Sequence, residues 1–302
     1  MNSFFANGKL LITGEYLVLN GALALAVPTK KGQTLLFENE QGSSLNWESL
    51  DPDNNCWFSC KFSCKDLTII KTSDQKKADF LQKLLTNASS IKNSPINLSG
   101  KVQTKLDFPR NWGLGSSSTL ISCIAQWFNI NPFLLHFSVS QGSGYDIACA
   151  QATRAITYKL EDGKPKHEQI YWNPKFKDQL FFVHLNKKQD SQNEVKTFLK
   201  KNKSHTKSVL KITSLTKEII KCNELCAFKE IISKHEQLMS NLLDTPTIKE
   251  KYFPDFNGVI KSLGAWGGDF ILVCGDKQEK NYFINKGFTT HLDFENELIN
   301  IN

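Results

Sequence analysis

The stretch Pro109-Arg-Asn-Trp-Gly113-Leu-Gly115-Ser-Ser-Ser118-Thr-Leu-Ile-Ser-Cys-Ile-Ala-Gln-Trp-Phe128 decides how the rest of the chain is read. Gly113 and Gly115 allow a tight turn and a close approach of backbone to a bound group, and three hydroxyls follow at Ser116, Ser117 and Ser118. Leu120, Ile121, Ile124, Ala125 and Phe128 then recur at helical spacing, which predicts a helix with the serines at its N-terminus. Free N–H groups and the positive end of the helix dipole favour an anion there, so the segment has the design of a phosphate cradle. A Walker A loop would end in Gly-Lys-Ser or Gly-Lys-Thr. No such lysine follows these glycines, so a lysine for the phosphates must come from elsewhere in the chain. A solvent loop whose first serine caps a core helix accounts for the hexamer alone equally well.

The chain has 302 residues, 40% of them hydrophobic and 22% charged, which suffices for two modest domains or one large one. The apolar stretch Leu17 to Val27 is too short and too interrupted to span a bilayer. No basic segment followed by an apolar run opens the chain, which predicts no signal peptide and leaves Asn87-Ala-Ser and Asn97-Leu-Ser as idle glycosylation matches. Eight cysteines without a CxxC pair fit reduced thiols and a cytoplasmic location. Cys56, Cys60 and Cys64 share one face of a predicted strand, as a metal site or as small buried hydrophobes. The net charge of +7 permits polyanionic partners without demanding them. Lys196, Lys200, Lys201, Lys203, Lys207 and Lys211 form either a basic patch or a solvated helix face. The interleaved aromatics that single-stranded nucleic acid would use are not evident there; a nucleic-acid-binding protein, motivated by the net charge, is a third reading, and neither nucleic acid nor a membrane is expected as partner.

Along the chain, Gly8 to Thr13 predicts a buried strand, followed by the apolar run Leu17-Val18-Leu19 and an Asn20-Gly21 turn. Ala22–Pro28, Gln33–Glu40, Leu45–Trp47, Trp57–Phe62, Leu67–Ile70 and Val102–Leu106 are predicted strands, and Lys76–Asn87 a helix. A short helix over Pro132–Phe137, a break at Gln141–Gly144, a helix over Tyr145–Ala152 and a strand over Ala155–Leu160 complete a first domain, 1–165, which can end in the polar turn Glu161–Pro165. A second domain, 166–302, would hold a strand at Leu180–Leu185 and helices at 195–200, 207–221 and 226–243. Beyond these come a turn and helix within Tyr252–Leu263, and a Gly-rich turn running into the strand Phe270–Cys274.

Three separated segments resemble the three motifs of the GHMP small-molecule kinases, closest to the mevalonate and phosphomevalonate kinase group. They are Lys9-Leu-Leu-Ile-Thr-Gly14-Glu15-Tyr16-Leu-Val18-Leu-Asn-Gly21, Pro109 to Ser118, and Ser262-Leu-Gly264-Ala-Trp266-Gly267-Gly268-Asp269. Between them, Gly142-Ser143-Gly144-Tyr145-Asp146-Ile-Ala looks like the segment that carries that family's catalytic aspartate. The resemblance implies a two-domain α+β fold, with a ribosomal protein S5 domain 2-like N-terminal domain and a ferredoxin-like C-terminal domain. It also implies ATP and Mg²⁺ as cofactors and a small-molecule acceptor, mevalonate or phosphomevalonate, and it leaves room for a homodimer.

On that resemblance Asp146 would take or orient the acceptor's proton and Lys9 would stabilise charge on the transferring group. Gly113, Leu114, Gly115, Ser116, Ser117 and Ser118 would hold the nucleotide phosphates, with Ser117 facing Mg²⁺. Glu15, Gly144, Tyr145, Gly264, Ala265 and Gly267 would line the substrate side. Two features depart from the family's pattern: Trp266 stands where a glycine is usual, and no acidic residue lies between Asn131 and Gly144, where mevalonate kinases carry a magnesium-binding glutamate. Gln141 to Asp146 resembles the phosphomevalonate kinases better. A phosphomonoester is already ionised at neutral pH, its second pKa being about 6, and calls for cations such as Lys187, Lys188, Arg154 or Arg110. Another sugar or amino-alcohol kinase of the same superfamily is the enzymatic alternative, and a catalytically silent ATP-binding regulator the non-enzymatic one.

Overall fold

The computed structural model describes residues 1–94, 98–187, 194–195, 197–198, 205–264 and 266–298. The chain forms two compact units, one from residues 1–8, 31–110 and 114–151, the other from 9–30, 111–113 and 152–302. Strands β1 (Asn2–Thr13) and β2 (Ala24–Asn39) pair with each other, and each begins in one unit and ends in the other.

In the first unit, β3 (Ser44–Leu50), β4 (Cys56–Ser63), β5 (Ile69–Thr72) and β6 (Gly100–Leu106) join the end of β2 in the order β5-β4-β3-β6-β2, with β3 and β6 parallel. Period-two alternation drives this: Leu45, Trp47 and Ser49 of β3 and Val102, Thr104 and Leu106 of β6 are buried. Helices α1 (Gln75–Lys92), α2 (Ser116–Phe128), α3 (Pro132–Val139) and α4 (Tyr145–Gln151) supply the rest of the core, with Leu81, Leu84, Leu85, Ile121, Ile124, Phe128, Leu135 and Ile147 inside. Each fully buried leucine or isoleucine contributes about 1.5–3 kcal/mol. The expected break between Ala22–Pro28 and Gln33–Glu40 does not occur, because β2 runs unbroken through Gly32. That glycine is a point of close approach: a Cβ there would overlap the Ala6 carbonyl oxygen.

In the second unit the apolar run after Tyr16 is a 3-10 turn, Leu17–Asn20, closed by Gly21 at φ 86°. The start of β2 pairs with β7 (Ala155–Glu161), and β7 turns through Asp162-Gly163, both at positive φ, into β8 (Lys164–Ile170). The polar turn therefore joins the strands of a hairpin, whose second member is an exposed, charge-rich strand without an apolar signature. A separate antiparallel sheet has the order β10-β11-β9-β12, from β9 (Leu180–His184), β10 (Val259–Ser262), β11 (Phe270–Cys274) and β12 (His291–Asp293). Helices α5 (Thr206–Lys221), α6 (Leu225–Leu243) and α7 (Ile248–Tyr252) lie between β9 and β10, and α8 (Lys277–Asn285) between β11 and β12, ahead of the terminal α9 (Phe294–Glu297). This is the β-α-β-β-α-β chain order of ferredoxin-like folds. The helix expected within Tyr252–Leu263 is instead α7 followed by β10, whose residues pair one by one with β11 from Val259↔Cys274 to Ser262↔Ile271. The helix expected over 195–200 falls on positions that include 196 and 199–200, outside the described residues. Among the described residues no helix is long and apolar enough to cross a membrane.

Candidate active site

Lys9 lies on β1, and its Nζ donates a 2.8 Å hydrogen bond to the Gly113 carbonyl, so the first motif supplies a lysine to the glycine loop that lacks one of its own. The loop's approach is fixed from β9. His184 Nδ1 accepts from the Asn186 N–H at 3.3 Å, which leaves the ring hydrogen on Nε2, 3.2 Å from the Asn111 carbonyl. Trp112 packs edge-on against Phe270, ring centroids 5.6 Å apart.

The third motif is the turn between β10 and β11. Gly264, Gly267 and Asp269 adopt left-handed conformations, at φ 65°, 98° and 54°. Asp269 is anchored by its backbone: its N–H donates to the Lys187 carbonyl at 2.7 Å, and its carbonyl accepts from the Leu185 N–H at 2.8 Å. A Cβ added at Gly113 would overlap the Asp269 carboxyl group. Trp266, the departure from glycine, is buried in a cluster with Tyr16, Leu17, Ala22, Ile212 and Met239, and its backbone N–H donates to Tyr16 Oη at 3.1 Å. Burial pushes Tyr16 up to about 12. Ala265 lies outside the described residues.

Glu15, six residues after Lys9, has different company. Its side chain has no exposed surface; Oε1 accepts from Lys261 Nζ, and Oε2 lies 3.4 Å from His235 Nε2. Lys261 also reaches Glu236 Oε1 at 3.4 Å and the Ser262 carbonyl at 2.9 Å, while Ser262 Oγ donates to Glu236 Oε2 at 3.0 Å. Burial raises Glu15 to about 7 against the opposing pull of Lys261, and raises Glu236 as well; burial, with Lys261 beside it, holds His235 well below its ordinary value. Sequence reasoning missed Lys261, Glu236 and His235. The available signal was a His-Glu pair on an apolar-periodic helix, which does not name its partner; Lys261, in the short segment Val-Ile-Lys-Ser, carried no signal of its own.

In the other unit, Gly115 at φ 92° occupies the capping position of α2, and no side chain caps this helix, so the expected serine cap is replaced by glycine. Ser118 Oγ donates instead to the Gly115 carbonyl at 2.8 Å, and Thr119 Oγ1 to Gln33 Oε1 at 2.7 Å. In the first turn Ser116 is half-buried and Ser117 is exposed, while Leu114 is fully buried. Gly144 at φ 84° starts α4, where Asp146 and Tyr145 are half-buried and Asp146 Oδ1 accepts from the Ile147 N–H at 3.1 Å. Of the three spaced cysteines, Cys60 and Cys64 are buried and Cys56 is exposed, so they do not share one environment. No group of three His, Cys, Asp or Glu among the described residues is arranged for a metal ion.

No family model matches the sequence, and no curated protein matches it significantly. Solved structures do match, over nearly the whole chain. Streptococcus pneumoniae phosphomevalonate kinase, in complex with phosphomevalonate and AMPPNP, is 18% identical with a TM-score of 0.72, covering 97% of this chain and 99% of that one. L. major mevalonate kinase, in complex with R-mevalonate, is 13% identical with a TM-score of 0.66, covering 99% of this chain and 96% of that one. Lactococcus lactis galactokinase, complexed with galactose, is 12% identical with a TM-score of 0.66, covering 98% and 92%. The chain has the two-domain α+β fold of the GHMP kinases. Within that class its structural likenesses include mevalonate, phosphomevalonate and galactose kinases side by side.

Proposed function

We propose that this chain is an ATP-dependent small-molecule kinase of the GHMP type, acting on phosphomevalonate or mevalonate. The observation that carries the reading is the hydrogen bond from Lys9 to Gly113, which joins the amine of the first motif to the glycine loop of the second within one unit. Phosphoryl transfer asks the protein mainly to position the phosphates, neutralise charge and align the acceptor. The amides of Gly113 to Ser117 would hold the phosphates. Gly113, at φ 68°, takes the left-handed backbone that a tight phosphate-binding turn uses. Hydroxyl oxygens at a helix N-terminus suit a Mg²⁺–nucleotide, and Ser117, with Ser116 and Ser118 beside it, would hold the ion, which supplies charge neutralisation between phosphate oxygens when bound.

Asp146 would orient the acceptor hydroxyl and receive its proton, and Lys9 would stabilise the charge that develops on the transferring group. Gly144, Tyr145, Gly264, Ala265 and Gly267 would line the acceptor side, with Glu15 supporting it from its buried position. The domain boundary near residue 165 and a cytoplasmic location belong to the same proposal. The burial of Trp266 speaks against a silent protein whose indole blocks the third motif, since the ring packs into a core.

Release of ADP from Mg-ATP is the direct test, with mevalonate, phosphomevalonate, galactose and homoserine offered separately. Turnover on phosphomevalonate or mevalonate, reduced at least about a hundredfold in Asp146→Asn and in Lys9→Ala, is the expected outcome. Turnover on galactose or homoserine alone would reassign the acceptor. ATP binding without turnover on any acceptor would favour the regulatory reading.

A further inference from the structure

Beside the Cα of Gly113, where an unprotected loop would lie open to a phosphate, there is a carboxyl group: the Asp269 Cγ and Oδ2 occupy the space that a side chain would need. The aspartate is 7% exposed and does not depend on a flexible loop for its place. Its backbone is held on both sides, by the Lys187 carbonyl and the Leu185 N–H, in a left-handed conformation that aspartate tolerates better than most side chains. The carbonyl of the same Gly113 receives the Lys9 amine, so one residue of the phosphate loop is flanked by a fixed cation and a fixed anion.

A bare nucleotide carries its negative charge on the phosphates, and a carboxylate a few ångströms away in partly buried surroundings repels it strongly. A divalent cation, which takes oxygen ligands, would neutralise charge there when bound with the nucleotide and so offset that repulsion. We infer that Asp269 makes nucleotide binding by the Gly113–Ser118 loop conditional on a divalent cation, acting as a gate against metal-free ATP. The inference rests on the kinase reading of this loop and adds to it a residue that selects the form in which the nucleotide binds.

Isothermal titration of ATP into the full chain, once with excess Mg²⁺ and once with excess EDTA, tests this without any acceptor or turnover. Wild type is expected to bind Mg-ATP at least about tenfold more tightly than metal-free ATP. In Asp269→Asn, an isosteric change that keeps the backbone conformation accessible, metal-free ATP should bind about tenfold more tightly than to wild type, and the magnesium advantage should shrink accordingly. Asp269→Gly, which tolerates the left-handed backbone without strain, should shift in the same direction and guards against a folding defect in the first variant. An unchanged magnesium dependence in both variants, with ATP binding retained, overturns the role of Asp269 and leaves the kinase reading intact. Absence of ATP binding by wild type under either condition overturns the kinase reading and this inference with it.

Discussion

Lys261 sits with no exposed side-chain surface between two carboxylates, Glu15 and Glu236, on a strand otherwise occupied by Val259, Ile260 and Ser262. Removing one partner of a buried ionic group leaves charge without compensation, so Lys261→Met should lose about 3–5 kcal/mol in urea unfolding. The triple variant Glu15→Gln/Glu236→Gln/Lys261→Met should recover most of that loss, and a triple variant as weak as the single one would mean the methionine fails on packing. Glu15 carries a separate pH signature. Burial raises it from 4.5 to about 7, so the folded chain keeps a proton that the unfolded chain has released between those values. The stability it contributes is full below about pH 4.5 and is lost as pH rises through about 7. His235 runs the other way: held below 6.5, it contributes above that value and its share fades on acidification. Comparing wild type with Glu15→Gln isolates the first effect. Wild type should gain thermal stability relative to the variant as pH falls from about 7 towards 4.5, and a difference flat across this window would mean that Glu15 stays ionised in the fold.

At the scale of elements, the third motif is a β-hairpin turn in which Gly264, Gly267 and Asp269 adopt left-handed conformations while its tryptophan anchors a core. These two duties are compatible because Trp266 faces Tyr16, Leu17 and Met239. Trp266→Ala should therefore cost about 3–5 kcal/mol, read as a lowered midpoint in thermal or urea unfolding. A loss below about 1 kcal/mol would place the indole outside the packed interior. The element that sequence reasoning mistook is β10. Four residues with a lysine in the third place carry neither a strand's alternation nor a clear apolar run, and the pairing with β11 is what makes them a strand. Among the elements it omitted, β8 is almost wholly exposed, and only the Asp162-Gly163 turn hints at the return strand.

For the molecule as a whole, the sheet order and the full-length likeness to solved kinases agree with the fold that three short motifs implied. Those motifs were legible because backbone geometry writes itself into local sequence: Gly14, Gly113, Gly115 and Gly144 all take positive φ, a conformation that glycine adopts without penalty. The amphipathic helices and alternating strands were legible for the same reason, since periodicity is a local property. Partnership is not local. Glu15 and Lys261 are 246 positions apart, and neither residue's neighbours say that the other will bury its charge. The sequence by itself determined the glycine-serine loop, the amphipathic elements and the order in which the motifs occur. Only the tertiary structure decided that Lys9 reaches Gly113, that Asp269 lies against the same glycine, and that Glu15 is sealed away with Lys261, because each of these depends on packing together segments that are remote along the chain.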